Sequence, residues 1–597
     1  MNLKFKKEDS FFGTNKSLLS NYWIKKDIDK RLSLNISQKF SLSDITSNLL
    51  ASRSIKIDEI KYFLNPTLDF YLPNPSIFND MENSVNRVFN AIEKKEKIAI
   101  LGDYDVDGVS SIVLLKKYFE FYGINPFTYI PDRIKEGYGP NKNAIDIIKQ
   151  EKISLLVMVD CGTNSHEIIN YLLEKKIDLI IIDHHKSNEK HSKNICLINP
   201  NSILDTSGYG FLCTAGLVYI FLYSLNKLIK SKKKKIIDIS NYLDLVALAT
   251  VCDVVPLINI NRAFVYQGLK ILSKRDNLGL KILSDEGQLN KKPDEEDLGF
   301  FFGPRINAGG RVGKPNIGEK LLITNEEYEA DLLVKQLNTL NYQRKLIEEK
   351  VYEECIIQIT RKQMHNKNSL FVYDDHWHEG VIGIVASRLK EKFNKPVIIL
   401  TKNNNTFKGS GRSIQGIDIG YLILLSKQKN IILNGGGHQM AAGLSISKNK
   451  LLLLENFFEN FVKKNIRKNK YDNCLIIDQI ISIEGINDEL IDSINKISPF
   501  GIGNPKPKFL LHNVRIIKPT LVGESKNHLS FIITDTTLKT IKAIIFRAAD
   551  NLLGKTILSN YKKNLFSFTG FVKKSFWKNK TNFEIIIEDG VLGKDII

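Results

Sequence analysis

Three aspartates at alternate positions, Asp103, Asp105 and Asp107, follow an apolar run in ILGDYDVDGVSS. Keeping a carboxylate charged beside an apolar core is costly unless something cationic sits next to it. Further along, Asp160 closes LLVMVD, Asp183, His184 and His185 close IIIDHH, and Asp253 follows the helical pattern YLDLVALAT. Pooled carboxylates repel one another and shift their proton affinities when no cation neutralises them. Hard oxygen donors with one or two imidazoles suit Mg2+ or Mn2+ better than zinc. Two such ions, about 3.5–4 Å apart, clamp the attacking and leaving oxygens of a phosphoryl displacement. Each residue alone has a plainer reading: a turn for the DxD, a helix N-cap for Asp160, a surface pair for the histidines, an ion pair for Asp253. Four segments delivering them in order favour a two-cation centre.

Such a centre needs a scaffold that brings four segments to one edge. KIAIL (97–101), PFTYI (126–130), ISLLVMV (153–159) and IDLIIID (177–183) read as short strands separated by amphipathic stretches of helix length. That alternation predicts an α/β fold with a parallel sheet covered by helices. Ligands of open α/β sheets bind beyond the carboxyl ends of the strands, where these acids and histidines stand. Residues 325–367 carry no Gly or Pro and repeat apolar residues at three- and four-residue spacing, which predicts one or two long linker helices. A smaller α/β unit follows, with SLFVYDD as a strand and IGIVASRLKEKF as a helix; from Cys474 short β-rich runs predict a small barrel. The expected division is 1–90, an N-terminal extension packing on the catalytic domain; 91–324, the catalytic domain; 325–367, the linker; 368–465, the second α/β domain; and 466–597, the barrel.

Bulk properties narrow the class. The 597 residues carry a net charge of +19, from 85 Lys+Arg against 66 Asp+Glu. A basic excess suits a polyanionic partner, although a chain this rich in Lys, Asn and Ile also owes charge to AT-biased coding. Six cysteines without a CxxC pair argue against a disulfide framework or a zinc site and fit a reducing cytosol. The N-terminus lacks a secretory pattern, and FLCTAGLVYIFLYSL is too short to span a bilayer, so a cytoplasmic location without membrane contact is expected. No P-loop pattern points to ATP.

Several motifs suit a phosphate-bearing substrate. GPRINAGGRVG (303–313) combines Arg305, Asn307 and Arg311 with glycines, which let backbone approach a phosphate while Arg forks onto it. GSGRS (409–413) offers Ser410, Arg412 and Ser413 as a clamp for a terminal phosphate. GGGHQMAAG offers Gly436, Gly437 and His438, where bare N–H groups suit an anion nest. His378 lies in the same domain, with Arg388 read as a structural helix residue. In FVKKSFWKNKTNFEIII, read as a hairpin, Phe576 and Trp577 sit among lysines, a combination that suits unpaired bases.

GDYDVDG, VDCGTN, DHHKS and ATVCDVVPL together resemble the successive motifs of the DHH phosphoesterase superfamily. GPRINAGGRVG, WHEGVIGIVASR, GSGRS, GGGHQMAAG and PFGIGNPKPKF narrow the resemblance to its RecJ family of single-strand-specific exonucleases. The resemblance spans nearly the whole chain. It implies a DHH domain, a linker, a DHHA1 domain and an OB-fold, and a monomer. It implies hydrolysis of single-stranded DNA from the 5′ end to 5′ mononucleotides, in recombination and repair, alongside a single-strand-binding protein and a helicase. Carried over residue by residue, Asp105, Asp107, Asp160, His184 and Asp253 match ligands of two Mn2+ or Mg2+ ions. Asp160 would bridge them, His185 would contact the scissile phosphate or act as a ligand, and Asp183 would orient its neighbours. Many superfamily members carry His where this chain has Leu101. The resemblance then implies either a weaker first metal site or compensation by Asp103 or water.

Overall fold

The computed structural model of the chain describes residues 16–593, apart from 134, 138, 188–194, 290, 467–473 and 578–579. It divides into two compact units. One comprises Tyr71–Val255 and Asn259–Tyr471; the other comprises residues up to Phe70, Pro256–Ile258 and the chain from Asp472.

The first unit is built on a five-stranded parallel sheet. Its order is Phe127–Tyr129, Ile98–Gly102, Leu155–Val159, Asp178–Ile182 and Cys196–Ile198. The central strands IAILG and LLVMV are buried at every residue, because helices cover both faces of a parallel sheet. The Cys196–Ile198 strand was not anticipated; three residues are too few for a periodicity to register. Leu101 packs into the core with Ala99, Leu156, Met158 and Ile181. The apolar stretch from Phe211 forms the buried helix Thr214–Ser231, and among the described residues no helix is long and apolar enough to cross a membrane.

The linker is one helix, Glu327–Arg361, of 35 residues. It leads to a second five-stranded sheet, ordered Asn434–His438, Ala441–Ser447, Thr406–Arg412, Val397–Asn403 and Leu370–Asp374. The helix Ile382–Phe393 ties this domain to the linker. Its Arg388 Nη1 reaches Glu348 at 3.1 Å and Glu349 at 2.7 Å, and its guanidinium lies 3.9 Å over the Tyr352 ring.

The second unit contains the β-barrel. Phe509–Val522, His528–Thr534, Thr540–Ile545, Lys580–Leu592 and Phe566–Trp577 pair in sequence round the sheet, and Phe509–Val522 pairs again with Phe566–Trp577 to close it. Closure removes the open edges that invite aggregation. The basic hairpin is present, with Phe576 and Trp577 at its closing end; their side chains lie outside the described residues.

One expectation is corrected here. Residues up to Phe70 do not belong with the catalytic domain but with the barrel unit; only the segment from Tyr71 joins the first unit. Tyr22–Lys25 forms a parallel pair with Cys474–Ile477. Ile36, Leu49, Leu50 and Ile60 share a core with Ile494, Phe509 and Phe566. A buried polar knot fixes the join. Asp589, without solvent exposure, accepts hydrogen bonds from Trp23 Nε1 at 3.0 Å and Asn21 Nδ2 at 2.9 Å. Trp23→Phe keeps the ring but leaves the buried carboxylate short of a donor, at an expected cost of about 1–3 kcal/mol. A lowered denaturant midpoint for the barrel unit, read by near-ultraviolet circular dichroism, checks this.

Candidate metal centre

The acid and histidine segments converge at the carboxyl edge of the parallel sheet. Three overlapping groups have donor atoms all within 4.8 Å of one another: Asp103 with Asp105 and Asp160; Asp107 with His184 and Asp253; and Asp160 with His184 and His185. Asp160 and His184 are each shared by two groups. His184 Nε2 lies 3.5 Å from Asp160 and 3.9 Å from Asp107, and its Nδ1 lies 3.6 Å from Asp253. Asp103, which the sequence left open, stands in the same group as Asp105 and Asp160.

Local folding explains each position. Asp105 is the N-cap of the helix Val106–Phe121, its Oδ1 accepting from the N–H groups of Asp107 and Gly108. A Cβ on Gly108 would stand 2.4 Å from the Asp103 carbonyl oxygen, so only glycine lets the chain fold back over the first aspartate. Both Asp107 oxygens accept N–H bonds from the start of the helix Thr214–Ser231: Oδ2 from Thr214 at 2.7 Å and Oδ1 from Ala215 at 2.8 Å. Asp160 leaves its strand at φ 58° and accepts from the Thr214 hydroxyl at 3.1 Å. Asp253 caps the carboxyl end of the helix Leu243–Cys252.

Asp183 works on its neighbours. Its Oδ1 accepts from the His184 and His185 N–H groups and from His185 Nδ1 at 2.7 Å, while Oδ2 accepts from Thr163 N–H. Behind it, Asn199 donates to the His185 carbonyl and Asn201 to the His184 carbonyl. Burial alone would raise the Asp183 carboxyl, but His185 and Thr163 hold it below the ordinary range. Burial would lower His185, yet Asp183 lifts it to about 9.

Asp103, Asp107, Asp160 and Asp253 behave in the opposite sense. Burial and the Asp105 charge push Asp103 up to about 7. Burial with neighbouring carboxylates raises Asp107, Asp160 and Asp253 as well. Asp253 Oδ2 is buried without a hydrogen-bond partner. Hard donors, mutual repulsion and an orphaned carboxylate oxygen are what a divalent-cation site presents before it is loaded. The residues therefore fit such ions.

Opposite the acids stand cationic groups of the same unit. Arg412 feels the charges of Arg311 and Arg133, and His438 feels those of His185, Lys186 and His184. Arg412 Nε donates to Ser387 and Nη1 to Ser410. Arg311 Nη1 donates to the Gly380 carbonyl at 3.2 Å. Arg133, which was not picked out from the sequence, donates to the Tyr104 hydroxyl beside the first aspartates. A cavity of about 150 Å³ beside this group is lined by Cys252, Gly303, Asn307, Arg311 and Arg344. Arg344 and Thr214 were also missed. Neither stands in a motif; both come from helices whose sequence registers only as apolar spacing.

The structure gives the phosphate-binding candidates different surroundings. GPRINAGGRV forms the helix Gly303–Val312. Its glycines admit neighbours: a Cβ on Gly310 would stand 1.8 Å from the Tyr104 ring. Two residues apart on a helix is about 200°, so Arg305 faces away from Asn307 and Arg311. It stacks on Phe301 at 3.8 Å and bonds Asn338 and the Phe301 carbonyl. Ser413 is fully buried and donates to the Ile417 carbonyl. Gly436 and Gly437 belong to the edge strand Asn434–His438, paired with Ala441–Ser447. Asn307 lines the cavity, but its Oδ1 is committed to the Val106 N–H at 3.0 Å and so braces the aspartate loop.

A parallel sheet with this acid and histidine edge, faced by a smaller α/β domain, defines a DHH-type phosphoesterase. Residues 97–250 match the DHH family N-terminal domain, 366–464 the DHHA1 domain and 477–589 the RecJ OB domain. The single-stranded-DNA-specific exonuclease RecJ of Haemophilus influenzae is 32% identical over 85% of this chain and 90% of its own length. RecJ of Bacillus subtilis is 29% identical over 95% of this chain and 70% of its own. The chain belongs to the RecJ family. Its fold superposes on Thermus thermophilus RecJ in complex with Mn2+ with a TM-score of 0.78 at 23% identity, over 96% of this chain and 79% of that one. A second RecJ structure bound to manganese, 26% identical, aligns with a TM-score of 0.56 over 67% of this chain and 98% of that one.

Thr214→Val removes the hydroxyl that orients Asp160 while keeping shape. An expected loss of about tenfold or more in Mn2+ affinity, with an unchanged melting temperature in chelator, is measurable by isothermal titration calorimetry.

Proposed function

We propose that the protein is a single-stranded-DNA-specific exonuclease that works from the 5′ end, releases 5′ mononucleotides and uses two Mn2+ or Mg2+ ions, in DNA recombination and repair. The observation that carries this is the overlap of three donor groups through Asp160 and His184. Shared donors are the arrangement that two neighbouring cations require. Membership of the RecJ family supports the substrate, and the manganese-bound relatives support the metal.

The residues divide the work. Asp103, Asp105 and Asp160 would hold one ion, and Asp107, His184 and Asp253 the other, with Asp160 between them. When bound, the ions supply Lewis acidity that activates water and stabilises charge on the phosphoryl oxygens. Asp183 accepts from His185 Nδ1 and so fixes the tautomer and orientation of that imidazole, which would face the scissile phosphate. Arg412, presented by Ser387 and Ser410, suits a terminal phosphate with Arg311 and Arg133. A clamp at one end leaves only the adjacent bond within reach of the acids, which accounts for an exonuclease rather than an endonuclease.

End-labelled single and double strands with free, phosphorylated or blocked 5′ ends, digested with and without Mn2+, test this reading. Mn2+-dependent release of mononucleotides from free 5′ ends of single strands is expected; release from 3′ ends overturns the polarity. Asp160→Ala should abolish cleavage while single-strand binding survives. Unchanged cleavage by that variant removes the mechanism. For Arg412→Lys, a single point charge replaces the bidentate fork. It should reduce the preference for a phosphorylated over an unphosphorylated 5′ end by about tenfold, read as a ratio of kcat/KM values.

A further inference from the structure

Phe300, Phe301 and Phe302 are consecutive, and the fold uses them differently. Phe302 is fully buried, and Phe301 stacks under Arg305. Phe300 is 83% exposed. All three lie in a π-helical turn, Asp297–Phe302, that runs directly into the helix Gly303–Val312. A π turn accommodates an extra residue at a cost in regular hydrogen bonding, and it re-aims the side chains around it. The turn is anchored on the helix that ends at Asp253. Cys252 Sγ donates to the Leu298 carbonyl, and a Cβ on Gly303 would meet that sulfur at 2.4 Å.

Position on the helix gives Phe300 its direction. Phe300, Pro304, Asn307 and Arg311 are spaced four, three and four residues apart, which in an α-helix makes one face; the π turn moves Phe300 to the edge of that face, beside Gly299, which lines the cavity itself. Pro304, Asn307 and Arg311 line the cavity beside the candidate metal centre. At about 1.5 Å per residue, Phe300 stands roughly 10 Å along the axis from Asn307. It therefore continues the wall of the cleft outward, past the groups that suit phosphate. Gly299, beside it, bears no side chain to cover the ring.

We propose that Phe300 is a base-stacking platform for the single strand entering this cleft, a subsite for an unpaired nucleobase. The proposal rests on the nuclease reading above and deepens it. An aromatic face accepts any base, so the platform adds affinity without sequence preference. It requires a base free of its duplex neighbours, so it favours single strands over double ones at a point outside the chemistry.

Phe300→Ala and Phe300→Trp are compared on single-stranded DNA in which one abasic nucleotide is moved stepwise from the 5′ end. Phe300→Ala should raise KM roughly five- to a hundredfold, the worth of one base–aromatic stack, with kcat held at saturation. Phe300→Trp should keep the wild-type KM. At one abasic position the wild type should lose the same factor, and Phe300→Ala should lose nothing further. A wild-type KM for Phe300→Ala, or a difference between the proteins that persists at every abasic position, overturns the platform; the second result assigns the ring to contact with protein. Fluorescence anisotropy of the same strands in chelator reads the same cycle as affinities. It keeps the test independent of cleavage, since a wild type that binds without cutting would fail the nuclease reading alone.

Discussion

Repulsion among buried carboxylates is the constraint around which this molecule is arranged. Asp103, Asp105, Asp107, Asp160 and Asp253 reach one sheet edge with donor atoms a few ångströms from their neighbours. Asp103, Asp107 and Asp160 are almost wholly buried. In that setting the charged forms are disfavoured by lost hydration and by one another. A divalent cation reverses both terms at once, because it replaces the lost water ligands and turns mutual repulsion into shared attraction. Until it binds, the protein must hold the group together by other means.

Those means are visible around each acid. Asp107 is secured by two N–H groups at the positive end of the helix Thr214–Ser231, where a carboxylate is favoured by the helix dipole. Asp105 caps the helix that carries Asp107, so one turn of chain positions two carboxylates. Asp160 takes a left-handed backbone conformation uncommon for residues other than glycine, and its neighbour Thr214 fixes the carboxylate by a hydroxyl. Asp253 has no such support at Oδ2 and is placed through its backbone. Asp183 differs from them all. Surrounded by donors, it is held below its ordinary range, and its negative charge favours the protonated form of His185.

Much of this was legible in the sequence because chemistry and periodicity coincide there. Strand-end acids announced the sheet edge, and apolar runs of five residues announced buried parallel strands. What failed to show has a common physical origin. The glycines of GPRINAGGRVG suggest close approach of backbone to a phosphate, yet here their missing side chains admit Tyr104 and Cys252. Arg305 and Arg311 look equivalent in a motif, but the helical period turns them to different faces. Ser413 looks like the partner of Arg412, although one residue further along the chain it turns into the core and bonds Ile417. The attachment of the N-terminal segment to the barrel depends on Trp23 and Asp589, separated by almost the entire chain, and no local pattern reports a pairing at that range.

The division of charge between the two domains of the first unit completes the picture. The DHH edge supplies the acids; the DHHA1 sheet supplies Arg412 and His438, with Arg311 and Arg133 contributed from the DHH side. Arg412 loses hydration and feels two like charges, so the cationic wall is under the same kind of strain as the acidic edge. Neutralising the wall with the ions of the edge would require the two faces to collapse onto each other. Arg388 on Glu348 and Glu349, and Arg311 on the Gly380 carbonyl, fix the DHHA1 domain in place instead. Under the proposed function, a chain of phosphates between the two walls would meet the guanidinium groups directly and the carboxylates through bound cations.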